Sequence, residues 1–114
     1  MNIFEPEDSQ IEFIEKPTIS NVKTIYVVKR TFWKNQMPIY SKLIAASTKL
    51  ERAMDYAKRW VEFIEKYGDS IFSNRDQDIK VIKGKMLYEA KDLDSDESLI
   101  FCVHEVPVLV DRTE

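Results

Sequence analysis

Glycine is almost missing from this chain: there are two, Gly68 and Gly84, in 114 residues. A phosphate-cradling loop of either common type needs several glycines within a few positions, so none can be built and nucleotide-dependent catalysis is not expected. Cysteine and histidine occur once each, as Cys102 and His104. A lone thiol cannot close an intramolecular disulfide, which excludes a disulfide-stapled scaffold and fits a reducing compartment. No stretch approaches the roughly eighteen apolar residues of a membrane span, and no basic segment leads into an apolar run at the start. The expectation is a cytoplasmic protein without membrane attachment.

What is present suffices for one core. Apolar side chains make up 44% of the residues, with six Phe, five Tyr and two Trp. A chain of this length buries roughly two-thirds of the surface it exposes when unfolded, enough to fold without a metal or a disulfide. The net charge of -3 conceals a sorted pattern, with residues 1–20 at -4, residues 21–91 at +7 and residues 92–114 at -6. A basic centre between acidic ends can meet an anionic partner, or be neutralised by its own ends.

The clearest element starts at Thr48-Lys49-Leu50-Glu51, the spacing of a capping box. Leu50, Ala53, Met54, Ala57, Trp60, Val61 and Ile64 then recur at helical intervals, and Gly68 supplies a stop. Asp55 with Arg59 and Glu62 with Lys66 are ordered as favourable i, i+4 pairs on a solvated face, while Tyr56 and Phe63 widen the apolar stripe. Before the helix, Val22 to Trp33 and Ile39 to Ala46 read as strands joined by a hairpin loop over Lys34 to Pro38. After it, Ile79 to Ala90 reads as one strand with a bulge at Gly84, and Leu99 to Val106 as a fourth. The fold class is therefore α+β, an antiparallel sheet of about four strands in ββαββ order on one amphipathic helix. Residues 1–20 form an acidic N-terminal arm or a short helix, and residues 21–114 the single domain.

Glu12-Phe13-Ile14-Glu15-Lys16 recurs as Glu62-Phe63-Ile64-Glu65-Lys66, and an Ile-x-Val-apolar-Lys run follows each copy. The spacings differ by four residues and nothing else aligns, so coincidence accounts for the echo better than duplication does.

No constellation points to catalysis. Cys102 and His104 share a strand face, but a zinc site needs three or four ligands and a nucleophile needs an oxyanion hole. Asp92-Leu93-Asp94-Ser95-Asp96 resembles the opening of a calcium loop, yet Glu97 stands at the glycine position and Val103 at that of the bidentate glutamate. A solvated hairpin loop is the plainer reading. No catalytic residue, cofactor or metal is assigned.

Both faces of the first strand are partly apolar, with Val22, Tyr26, Val28 and Phe32 on one and Ile25, Val27 and Trp33 on the other. One helix covers one face, so the other must meet the termini, a dimer partner or another ligand. Tyr26, Trp33 and Tyr40 are the candidate partner-binding residues, with the acidic terminal segments as the alternative contact surface. Lys29, Arg30, Lys34, Lys80, Lys83 and Lys85, interleaved with aromatics, are candidates for a nucleic-acid surface, while the acid-rich ends suit a DNA mimic; the pI near 5.3 weighs against a dedicated nucleic-acid binder.

Ile25-Tyr26-Val27-Val28, a short hairpin, Ala45-Ala46-Ser47-Thr48 and then Ala53-Met54-Asp55-Tyr56-Ala57 together resemble a pattern that recurs in small uncharacterised phage and mobile-element proteins. The likeness covers residues 22–68 and carries no catalytic motif. It implies an accessory factor that acts by binding, including inhibition of host or defence proteins. The leading expectation is thus a non-enzymatic protein-binding module, with homodimerisation one use of the spare apolar face; a nucleic-acid binder or DNA mimic is the alternative.

Overall fold

Alternating side chains and a helical stripe have to bury their apolar faces against each other, and the computed structural model shows how they do so over residues 22–109, the part it describes. The acidic arm and the first copy of the repeated pentapeptide lie outside that range. The elements run β1 (Val22–Lys34), β2 (Met37–Ser47), α1 (Leu50–Tyr67), β3 (Ile79–Lys83), β4 (Leu87–Asp92) and β5 (Glu97–Leu109). They form one antiparallel sheet of order β2-β1-β5-β4-β3, and the compact unit discussed below spans Thr24–Val106.

The expected α+β class holds, but the strands number five, in the order ββαβββ. The segment Ile79 to Ala90 is not one bulged strand: it folds back on itself, pairing Val81 with Ala90 and Lys83 with Tyr88. Gly84 sits in the reversal, its N–H donating to the carbonyl of Leu87 at 2.9 Å. A Cβ there would lie 2.7 Å from that same oxygen, so the turn closes only around a residue with no side chain.

The β1–β2 hairpin is also tighter than expected, with Asn35 and Gln36 alone between the strands, both at positive φ (53° and 64°) as two-residue turns require. Register shifts opposite Val28/Lys29 and Phe32/Trp33 leave Ile44 and Ile39 as extra residues on β2. Those irregularities and Pro38 blunt one outer edge of the sheet; Lys80 and Lys83 stud β3, the other.

Helix α1 presents Ala53, Ala57, Val61 and Ile64, all buried, to Val28, Phe32, Tyr88, Ala90, Leu99, Phe101 and Val103 of the sheet. Each large aliphatic side chain enclosed there contributes roughly 1.5–3 kcal/mol. Trp60 stacks on Phe101 with centroids 5.9 Å apart. Gly68 ends the helix at φ 75°, its N–H bonded to the Ile64 carbonyl. The capping box is not formed: Lys49 is the N-cap and no side chain caps the first turn, while Ser47 Oγ, not Thr48, accepts the Lys49 N–H at 3.0 Å. Asp55 and Arg59 do pair, at 2.8 Å. Glu62 turns away from Lys66 and pairs with Lys83 Nζ on β3 at 2.9 Å, because the sheet brings that cation beside the helix.

Candidate functional site

The residues nominated from sequence do not form one surface. Tyr26 packs against the core on the helix side of the sheet, and Tyr40 lies on that side as the cross-strand partner of Phe32, ring centroids 6.0 Å apart. Trp33 projects from the opposite side, where it lines a shallow hollow of about 240 Å³ with Glu89, Lys91, Asp96, Ser98 and Ile100.

The six basic candidates are dispersed too. Lys34 meets Glu97 at 3.5 Å and Lys83 meets Glu62. Lys29 stands on β1 and Lys80 on β3, separated by β5 and β4, and Lys85 lies in the β3–β4 turn. Arg30 is mostly enclosed, its guanidinium 6.0 Å from the Trp60 ring and 3.9 Å from Asp69. Cys102 is half-buried, and burial pushes its thiol upward against a smaller opposing pull from Lys29; His104 is exposed. Among the described residues no three His, Cys, Asp or Glu side chains group as metal ligands would.

The acidic hairpin is only partly a solvated loop, because Asp92 and Glu97 are 0% and 1% exposed and face each other across β4 and β5. Asp92 accepts from the N–H groups of Asp78 and Asp94, from Asn74 Nδ2 and from Ser95 Oγ at 2.8 Å. Glu97 accepts from the Ser73 N–H at 2.8 Å, the Ser73 hydroxyl and Ser95 Oγ at 3.0 Å. Ser95 has one proton to share between the two carboxylates. Burial pushes both carboxyls upward, but the converging donors outweigh it, so both titrate below the ordinary range. This cluster is a fastener. It ties residues 73–78, themselves braced by Gln77 bonds to Asp69 and Asn74, onto the sheet, which holds Phe72 in the core beside Phe32.

Unspent surface collects elsewhere, between α1 and β2. One flank of α1 reads Arg52, Tyr56, Arg59, Phe63 and Tyr67 at helical spacing and faces the β2 side. The other flank, with Glu62 reaching Lys83, faces β3. A trough of about 460 Å³ lies between the first flank and a floor of Val28, Ala45, Ala46 and Ser47. It meets an apolar shelf of about 400 Å³ formed by Tyr56, Arg59, Trp60 and Phe63. Phe63 is 54% exposed and Tyr67 65%, and Phe63 leans on Tyr67 with centroids 4.8 Å apart and meets Trp60 edge-on. Sequence periodicity registers Tyr56 and Phe63 as margins of the buried stripe; they stay exposed because nothing among the described residues covers this flank, and β2 beside it is largely exposed as well.

No family model, curated protein or solved structure matches this chain.

Proposed function

We propose that this protein is a non-enzymatic protein-binding module, an accessory factor that modulates a host protein, and that its contact surface is the trough and shelf between α1 and β2. One observation carries the reading. Tyr56 and Phe63, 38% and 54% exposed, line the trough and shelf, Tyr67, 65% exposed, leans on Phe63, and the exposed Tyr40 lies on the same side of the sheet. Single exposed apolar residues are ordinary, whereas a concentration on two neighbouring elements marks a surface kept for a partner. Aromatic anchors set beside arginine are the composition that dominates interface energetics. The resemblance to phage and mobile-element proteins supports an accessory role on a host protein.

The test is site-specific photo-crosslinking in host cells, with p-benzoylphenylalanine in place of Phe63 and, as a control, in place of Lys80 on the far edge of the sheet. A discrete adduct from position 63 and none from position 80 is expected. Equal capture from both positions, or none from 63, overturns this placement. Light scattering across concentrations separates a host partner from a second copy, since the latter makes the apparent mass rise with concentration.

A further inference from the structure

The trough and the adjoining shelf carry cations that their apolar content does not require: Arg52 and Arg59 line the trough, and Arg30 stands 6.0 Å from the Trp60 ring of the shelf. Arg30 and Lys42 are direct cross-strand partners in the β1–β2 register. The Thr31–Ser41 hydroxyl contact at 2.9 Å puts the odd-numbered residues of β1 on one face there. Arg30 and Lys42 therefore share the other face with Phe32 and Tyr40, toward the helix. Like charges directly opposite one another destabilise a strand pair. Asp69 stands 3.9 Å from Arg30, and the buried Nε of Arg30 has no hydrogen-bond partner among the described residues. Arg52 and Arg59 on the helix add to this cationic side, with Asp55 held by Arg59. Among the described residues an apolar shelf thus lies beside four cationic side chains and two carboxylates, an excess of positive charge.

Resting on the reading of this trough as a protein-binding surface, we infer that its occupant is an acidic segment of a partner protein bearing large apolar side chains. The apolar groups seat on the Tyr56–Trp60–Phe63 shelf and over the methyl group of Ala45. The carboxylates meet Arg52, Arg59 and the Arg30–Lys42 pair. Such a ligand relieves the cross-strand repulsion present in the free protein, which makes its charge productive as well as complementary. A single-stranded nucleic acid is also anionic, but it needs ring faces open for stacking. Trp60 has one face against Phe101, and Phe63 is tilted between Trp60 and Tyr67 (interplanar angles 78° and 46°), which makes a ridged surface instead of a platform.

Fluorescence anisotropy on the full chain tests this. The probes are three labelled peptides of about fourteen residues, the length of the α1 flank at ~1.5 Å per residue, with identical Leu and Phe positions and with Glu, Gln or Lys at every other position. A labelled oligo-dT of similar charge is the fourth probe. The Glu peptide is expected to bind about tenfold or more tightly than the Gln peptide and to weaken with added salt, with no binding of the Lys peptide. Arg52→Glu should abolish that preference, and Phe63→Ala should weaken the Glu peptide about tenfold, each with an unchanged urea midpoint. Equal binding of the Glu and Gln peptides, or no binding of the Glu peptide, overturns the inference; the crosslinking result at position 63 stands or falls separately. Tighter binding of oligo-dT than of the Glu peptide, lost in Arg52→Glu, overturns both.

Discussion

Replacing Glu97 by glutamine opposes two large effects. Glu97 is a buried negative charge facing the equally buried Asp92, so neutralising it removes a repulsion and a desolvation penalty that often exceeds the value of a buried pair. Against this stand the two Ser73 donors, Ser95 and the Lys34 ammonium, and bonds to a charged acceptor are each worth about 1 kcal/mol more than bonds to a neutral one. The lowered carboxyl decides the sign. It shows that the folded state prefers the ionised group to a neutral carboxyl of nearly the same shape as the amide. We predict that Glu97→Gln loses about 2 kcal/mol at neutral pH, roughly a thirtyfold shift toward the unfolded state.

The pH dependence follows from the same direction. A folded value below the unfolded one contributes stability that is fully present above the ordinary carboxylate range and is lost as pH falls through the folded value. The gap between wild type and variant should therefore be constant from about pH 6 upward and close as pH falls below the ordinary carboxylate range. Urea unfolding followed by tryptophan fluorescence at a series of pH values measures it. A variant as stable as wild type at pH 7, or a gap that does not change with pH, would falsify the account of the acidic cluster as a charge-dependent fastener.

Three further outcomes are expected. Gln36→Gly should stabilise the protein by about 1 kcal/mol, and raise the melting temperature by about 4 °C, because it removes a side chain from a left-handed position; a drop would mean that Gln36 makes a contact of its own. Thr48→Ala should change the urea midpoint negligibly, whereas Ser47→Ala should cost roughly 0.5–1 kcal/mol, since only Ser47 accepts the Lys49 amide; the reverse ranking would restore the Thr48 cap. Cys102 should alkylate more slowly than a free thiol at pH 8, burial being the first cause of its raised pKa, and should reach the free rate in urea; native labelling as fast as that of a free thiol contradicts this.

Local signals were legible where one element satisfied them by itself. Leu50 to Ile64 repeat a period that only a helix can use, and Gly68 ends it with a backbone angle other residues avoid. The split of the third strand was not legible, since Lys85 and Met86 carry no turn signature and a glycine between lysines reads equally as a bulge. Thr48 and Glu51 have the right spacing for a cap, but Ser47, one residue earlier, already serves the nearby amide. Asp92 and Glu97 look solvated in a run of acids because the donors that enclose them, Ser73, Asn74 and Asp78, come from 14 to 24 residues away. The trough was hidden for a related reason. Helical spacing shows Tyr56 and Phe63 beside the apolar stripe, but only the tertiary packing of α1 on the sheet decides that they stay uncovered.

The sheet order has a consequence for how the chain matures. The strand that joins the N-terminal hairpin to β4 is β5, the last of the five to be synthesised, and it delivers Leu99, Phe101 and Val103 to the middle of the core. Until it emerges from the ribosome, the earlier strands and the helix have no common seam to close around. Folding must therefore await the end of translation of this segment, and a polypeptide interrupted before Glu97 would be a substrate for proteases instead of a smaller working copy.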